Sequence, residues 1–204
     1  MANKLFDDVT KMVTSTEIKN KLKRLFGAVT GKENFDDVYL PRLAFIQTAT
    51  KSIANTTTET SHFNDTGAIG SRTIPANTLR KGSVIRVHLM SDLTNLSTPT
   101  NDIKIKIGST TIITSSAKLG ENTNSLKELY LELLVTTAGA SGKILAQGFT
   151  KVVGGTNPLR ALMLTTPTDF DTTKANTLDI TYTWGTAGES NILACTNATI
   201  EVIQ

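Results

Sequence analysis

The feature that most constrains the fold is a series of short segments, spread over residues 47–204, in which apolar and polar side chains alternate. The cleanest of them runs from Ile103 to Ile107 and reads Ile-Lys-Ile-Lys-Ile. Only a strand with one buried face explains a strict period of two. Threonine, a β-branched residue that suits a pleated and half-solvated surface, is abundant in these segments. We therefore expect a mainly β body with a structural or binding role.

Nine strands are predicted, separated by turn-forming clusters of Gly, Pro, Asn and Ser. They cover Gln47–Thr57, Ser83–Asp92, Asp102–Gly108, Thr110–Ser115, Leu126–Thr137, Gly142–Val153, Leu159–Thr165, Thr177–Trp184 and Asn191–Ile203. The segment Asn124–Leu133 also fits a helix, but Tyr130 and Glu132 alternate with two leucines, which favours a strand. Strands at this spacing, with no helical pattern between them, predict an antiparallel, jelly-roll-like β-sandwich.

The N-terminal part of the chain has a different pattern. We predict a helical arm and linker over residues 1–45, followed by the β-sandwich domain over residues 46–204. Thr14 and Glu17 have the spacing of a capping box at the start of a helix. The helix then carries an apolar stripe of four side chains on one face, Ile18, Leu22, Leu25 and Phe26.

A helix this short must pack on something to be stable. It packs either on its own β body or, as an attachment arm, on a neighbouring copy or another protein. The linker and the abrupt change in composition favour attachment. We therefore predict that the apolar stripe is a site of partner attachment.

The residues that usually carry chemistry are sparse. Cys195 is the single cysteine and lies in an apolar segment, where a small buried side chain is expected. His62 and His88 have no cluster of metal-ligand residue types around them, and His88 shares a strand face with Arg86. Trp184 is expected to anchor the core or an interface. We expect no enzyme activity, no catalytic residue, no cofactor and no metal.

Charge and hydropathy argue against two classes of partner, nucleic acid and membrane. A net charge of +3 over 204 residues is too small to indicate nucleic-acid binding, and the basic run Lys19–Arg24 is typical of a solvated helix face. No stretch approaches the roughly 18 apolar residues that a transmembrane helix needs, and the N-terminus lacks the apolar core of a signal peptide. We expect neither nucleic acid nor membrane as a partner, and synthesis in the cytoplasm.

Several segments taken together resemble a β domain common in structural proteins of tailed phages. They are Thr73–Val87, Ile103–Gly108, Thr177–Gly185 and the terminal Thr199–Ile203. The resemblance extends over about residues 65–204. It implies a jelly-roll module that trimerises on the virion surface, as a capsid decoration protein, a head fibre or a tail-fibre tip.

Three functions follow as expectations. The first is a virion protein, a homotrimeric capsid decoration or head-fibre protein anchored to other virion proteins by its N-terminal arm. The second is a tail-fibre or receptor-binding tip that adheres to a ligand on the host surface. The third, which the sequence supports least, is a glycan-cleaving enzyme, for which paired carboxylates are needed and Asp169, Asp171 and Asp179 are the candidates.

Overall fold

Two antiparallel β-sheets make up the part of the chain that the computed structural model describes, residues 42–153 and 159–204. In chain order the strands are β1 (Arg42–Ile46), β2 (Lys51–Ala54), β3 (Thr60–Ser61), β4 (Ile69–Gly70), β5 (Thr73–Ile74), β6 (Val84–Asn95), β7 (Thr100–Ile107), β8 (Thr110–Lys118), β9 (Asn122–Thr137), β10 (Lys143–Val153), β11 (Arg160–Met163), β12 (Thr168–Asp169), β13 (Asn176–Trp184) and β14 (Ile192–Ile203). Every pairing between them is antiparallel, which confirms the predicted mainly β class.

The strand order divides into a large and a small sheet. The large sheet has nine strands in the order β11-β10-β9-β6-β14-β1-β4, with β12 beside β10 and β2 beside β14. The small sheet has five strands in the order β3-β13-β7-β8, with β5 beside β13. Strands that follow each other along the chain therefore often lie in different sheets.

Four of the pairings are nested like the rungs of one long hairpin. The outermost is β1 with β14, followed inward by β3 with β13, β6 with β9, and β7 with β8. The innermost pair is closed by the two-residue loop Gly108-Ser109, where Gly108 has a φ of +56° that favours glycine. Successive rungs alternate between the large and the small sheet.

The hydrophobic core is formed by the inward-facing side chains of both sheets. Ile103, Ile105 and Ile107 are buried, as their alternation with lysines predicts. Trp184 on β13 is fully buried, and its indole N–H donates to the carbonyl of Ile53 on β2 at 3.2 Å, which ties the small sheet to the large one. The predictions for Trp184 as a core anchor and for Cys195 as a small buried side chain are both confirmed.

The first predicted strand, Gln47–Thr57, is wrong in its extent. Within that range the structure has β2, Lys51–Ala54, whereas β1 ends at Ile46, one residue before the range begins. Both strands pair with β14. Gln47, which follows β1, still donates its backbone N–H to the carbonyl of Ala198 on β14 at 2.8 Å. Its buried side chain makes two further bonds: Nε2 donates to the carbonyl of Cys195 at 2.9 Å, and Oε1 accepts from the Asn64 backbone N–H at 2.8 Å. Strand β1 also crosses the predicted domain boundary between residues 45 and 46.

The ambiguous segment Asn124–Leu133 is confirmed as a strand, since it lies within β9. The predicted helical arm and its stripe, Ile18, Leu22, Leu25 and Phe26, lie outside the described residues. Within the described ranges, no helix has the length and hydropathy to span a bilayer.

Candidate functional site

The outer face of the large sheet carries a polar network centred on Glu132. Cross-strand register places Arg86 on β6 between Glu132 on β9 and Glu201 on β14. The Arg86 guanidinium donates to Glu132 Oε1 at 3.0 and 3.1 Å and lies 3.6 Å from a carboxylate oxygen of Glu201. The hydroxyl of Tyr130 donates to Glu132 at 2.8 Å, and the Gln147 amide donates to it at 3.3 Å. Glu132 thus gathers donors from three strands.

These bonds set the ionisation of the network. The hydrogen bond from Tyr130, followed by that from Arg86, holds the pKa of Glu132 below its ordinary value. The same carboxylate raises the pKa of Arg86. Glu132 and Arg86 therefore remain an ion pair near neutral pH.

Beside the network lies a shallow polar depression. Its volume is about 330 Å³, and its lining residues are Arg86, His88, Glu128, Tyr130, Thr199 and Glu201. His88 Nε2 lies 3.0 Å from a carboxylate oxygen of Glu128. Because Arg86 and His88 both line this depression, they share one polar face, as predicted. The Tyr130 ring stacks on Phe149 with centroids 5.9 Å apart. Carboxylates, an imidazole and the Tyr130 ring line this depression, and such a combination suits a polar ligand with an apolar face, such as a sugar.

An apolar depression adjoins the network on the same face. It has a volume of about 240 Å³, and its residues come from β6, β9, β10 and the end of β11. The lining residues are Val84, Glu132, Leu134, Leu145, Ala146, Gln147, Met163 and Leu164. Met163 is 63% exposed and Leu134 is 39% exposed, which makes this the more hydrophobic part of the outer face.

A buried lysine lies on the inner face of the same sheet. Lys127 lies on β9 in phase with Leu129 and Leu131, and only 4% of it is exposed. Its ammonium group lies 4.3 Å from the centre of the Tyr182 ring, a cation–π contact across to the small sheet. Lys127 Nζ has no hydrogen-bond partner among the described residues.

Burial changes the pKa values of Lys127 and of two buried residues, His62 and Tyr182, which together form an inner cluster. Desolvation, helped by the charge of Arg160, lowers the pKa of Lys127 to about 7. Desolvation also lowers the pKa of buried His62 to about 3, with a further contribution from Lys127. It raises the pKa of the Tyr182 hydroxyl. At neutral pH, His62 and Tyr182 are therefore uncharged, and Lys127 is near its titration midpoint.

A lysine with a lowered pKa is a possible nucleophile or base, so the space around it matters. The cavity that it lines has a volume of about 20 Å³, roughly the room for one water-sized group. No organic substrate fits there.

The carboxylates proposed for glycan cleavage are not brought together. Asp169 on β12 forms an ion pair with Lys143 on β10. Asp171 accepts from the Thr173 backbone N–H and hydroxyl in the turn that follows β12. Asp179 belongs to the small sheet, where it accepts from Ser61 at 2.5 Å and lies 3.3 Å from Arg72.

Each of these three carboxylates is therefore held by partners of its own. Within residues 42–153 and 159–204, no group of three or more His, Cys, Asp or Glu side chains is arranged to hold a metal ion.

The sequence analysis did not predict the buried cluster of Lys127, His62 and Tyr182, although the sequence of β9 contains a signal for it. In β9 the residues at odd positions from 129 to 135 are apolar and buried, and Lys127 has the same parity. A lysine in phase with a buried run is the signature of a buried charge. The predicted attachment residues Ile18, Leu22, Leu25 and Phe26 lie outside the described residues, so their role stays a prediction.

Comparison with known proteins does not assign the chain to a family. No protein-family model and no curated protein matches it. Among solved structures, the chain is similar to the CBM2 module of the evolved Dit of Lactobacillus casei BL23 phage J-1, with a TM-score of 0.33 and 7% sequence identity, over 67% of this chain and 68% of that one. A TM-score this low supports no argument about fold or function.

Proposed function

We propose that the chain is a structural protein of a tailed-phage virion. In this role it is a homotrimeric capsid decoration or head-fibre protein, anchored to other virion proteins by its N-terminal arm. The role needs no catalysis and no cofactor.

The observation that carries the proposal is the nested pairing of the strands. Numbered along the chain, β1, β3, β6, β7, β8, β9, β13 and β14 pair first with last, second with seventh, third with sixth and fourth with fifth. A long hairpin rolled up so that successive rungs fall in alternate sheets is the connectivity of a jelly roll, a fold of viral capsid domains. We assign the fold as a jelly roll whose large sheet is extended by β10, β11 and β12. This assignment agrees with the module that residues 65–204 resemble in sequence.

Two surface features support self-association. Strand β8 has nine residues and lies at the end of the small sheet, where its backbone invites pairing. The apolar depression with Leu134 and Met163 presents exposed hydrophobic side chains, which mark interaction surfaces. A closed symmetric assembly covers such surfaces. We place a contact between copies at the apolar depression.

The arm supplies the attachment. The stripe of Ile18, Leu22, Leu25 and Phe26 docks on a neighbouring virion protein, and three arms in one trimer multiply a weak individual contact through avidity.

Light scattering at micromolar concentration tests the assembly. We expect a mass of three chains of 21.9 kDa each. Leu134→Glu should reduce the mass to that of one chain, because a buried carboxylate at the contact is unfavourable. Ile192→Glu is the matched control, since Ile192 is 37% exposed but lies at the start of β14 and does not line the depression. A stable wild-type monomer would contradict the proposal.

The same trimer can be used to test attachment. Replacing Leu22 and Phe26 together by serine should abolish incorporation into virions while the mass stays at three chains. If incorporation instead depends on Lys19, Lys21, Lys23 and Arg24, the arm binds an acidic surface and the apolar docking is wrong.

A second candidate, a receptor-binding tip that adheres to a host surface ligand, is favoured by one observation. The polar depression combines the Tyr130 ring, which stacks on Phe149, with carboxylates and an imidazole. If this candidate holds, a set of host surface glycans should include one that binds the trimer, and Tyr130→Ala should remove that binding. Particles that lack the protein would then fail to adsorb to cells, whereas particles that lack a decoration protein would adsorb normally.

A further inference from the structure

Three polar side chains from consecutive strands meet on the inner face of the large sheet. Register pairs Thr150 on β10 with Arg160 on β11, and Val152 on β10 with Lys127 on β9. Lys127 is thus the diagonal neighbour of Thr150, a relation that brings long side chains within reach of each other. All three line the small cavity of about 20 Å³ between the sheets.

Two of these side chains have unused hydrogen-bonding capacity. Lys127 Nζ and Thr150 Oγ1 have no hydrogen-bond partner among the described residues, and the two residues are 4% and 2% exposed. A buried polar group without a partner costs free energy, and a buried ammonium costs more than a hydroxyl. The ammonium group can only donate and the hydroxyl can donate as well as accept, so an acceptor is the partner that suits both.

The charge around the cavity indicates the sign of that acceptor. Three cationic residues line it, Lys118, Lys127 and Arg160, and the other lining residues are Ala117, Leu119, Thr150 and Val152. No carboxylate is among the described residues that line it. An anion would offset the desolvated charge of Lys127.

The guanidinium of Arg160 is already held in place. It donates to Asn101 Oδ1 at 2.9 Å and to Ser115 Oγ at 3.0 Å, both on the small sheet. The carboxylate of Asp102 acts on Arg160 from the same strand as Asn101. Arg160 therefore provides a fixed positive charge beside the cavity.

The size of the cavity limits the ligand. The cavity is small, at about 20 Å³. A halide ion is a single sphere somewhat wider than a water molecule, whereas phosphate and sulfate carry four oxygen atoms around a central atom and a sugar is larger still. A monoatomic halide is therefore the anion that best suits a space of this size.

We propose that this cavity binds one halide ion, normally chloride, which accepts hydrogen bonds from Lys127 Nζ and Thr150 Oγ1 in the positive potential of Arg160 and Lys118. The ion joins β9 and β10 to the edge of the small sheet. Halide then stabilises the folded protein, because it binds there and not to the unfolded chain.

Anomalous diffraction from crystals grown in bromide tests the position. We expect a bromide peak within hydrogen-bonding distance of Lys127 Nζ and Thr150 Oγ1 in the wild-type protein. A peak of water density without anomalous signal at this position would overturn the proposal.

Thermal unfolding at pH 6 tests binding in solution, with bromide exchanged for acetate at constant ionic strength, because sulfate would itself stabilise the fold. The wild-type melting temperature should rise with bromide concentration, and the rise should be lost in Lys127→Met. Thr150→Val is a second variant that keeps the lysine, and it should show a smaller rise. Lys151→Met, which removes an exposed lysine from β10, should keep the full rise.

The outcomes separate cleanly. A bromide peak without any effect on wild-type melting means binding at crystal concentration only, and overturns the proposal. An equal rise in the wild-type protein and in Thr150→Val, or a loss of the rise in Lys151→Met, also overturns it, because the effect would then come from general salt binding.

Discussion

Strand β9 carries polar side chains on both faces, and the surroundings of these side chains differ between the two faces. On the outer face, Glu132 receives hydrogen bonds from Tyr130, Arg86 and Gln147. On the inner face, Lys127 has an aromatic ring beside its ammonium group and no hydrogen-bond partner among the described residues. The outer charge is paired and partly hydrated, whereas the inner charge is desolvated.

The difference shows that ionisation follows position in the sheet more than residue type. The hydrogen bond from Tyr130 on the same strand, followed by that from Arg86 on β6, lowers the pKa of Glu132 and keeps it charged. Burial lowers the pKa of Lys127 and moves it toward the neutral form. An exposed ion pair contributes little to stability, while a buried and unpaired charge costs much. The outer face has the larger hydrogen-bond network, but it therefore has the smaller effect on the free energy of unfolding.

The largest effect should come from the apolar side chains that share the inner face of β9 with Lys127. Leu133→Ala, on the inner face of β9, should lower the free energy of unfolding by about 2–5 kcal/mol, because it removes a fully buried side chain and leaves a cavity. Leu43→Ala is the matched control on the outer face, where Leu43 is 53% exposed, and it should cost less than about 1 kcal/mol. Urea unfolding of both variants measures the contrast, and equal losses would mean that the two faces are not distinguished by burial.

A smaller effect should appear as pH dependence. Between a folded pKa of about 7 and the ordinary value of 10.5, the unfolded chain binds more protons at Lys127 than the folded chain does. The free energy of unfolding should therefore rise with pH in this window, by about 2 kcal/mol from pH 7 to pH 9 in a buffer without halide. Below pH 7 both states are protonated and the full penalty applies.

The variant Lys127→Met isolates this contribution, because it keeps the other titrating groups. His62, Tyr182 and Arg160, which face or act on Lys127, stay in place, as does Cys195, whose raised thiol pKa has the opposite sign of effect. The unfolding free energy of the wild type minus that of the variant should decrease as the pH falls towards 7. A difference that does not change with pH would show that Lys127 keeps an ordinary pKa in the folded protein.

The smallest effect should come from the outer network. Glu132→Gln removes the charge that pairs with Arg86 but keeps a side chain of the same shape, and we expect a loss of about 1 kcal/mol or less. The loss should diminish in high salt, since Arg86 and Glu132 are 36% and 25% exposed at their side chains. Urea unfolding at low and high salt measures it. A salt-independent loss of several kcal/mol would place Glu132 in a structural role that its exposure does not indicate.

Much of the strand pattern could be predicted from single segments. The Ile-Lys alternation of β7 and the leucine alternation of β9 are local, because each side chain in a strand faces opposite to its neighbour. The bounds of β1 and β2 could not be predicted that way. The Gln47 side chain, which lies between these strands, bonds to Cys195 and Asn64, residues that are distant in sequence and become neighbours only in the folded chain.

The sequence by itself determined the β class, the buried faces of the long strands, and the parity that places Lys127 among leucines. Those properties depend on the two-residue period of a strand, which each segment carries without reference to the others. Only the tertiary structure decided that Lys127, Thr150 and Arg160 line one cavity, and that Arg86, Glu132 and Glu201 form one network. Such groupings depend on which strands become neighbours and in what register, and the residue pattern of a single segment does not specify which strand it will pair with.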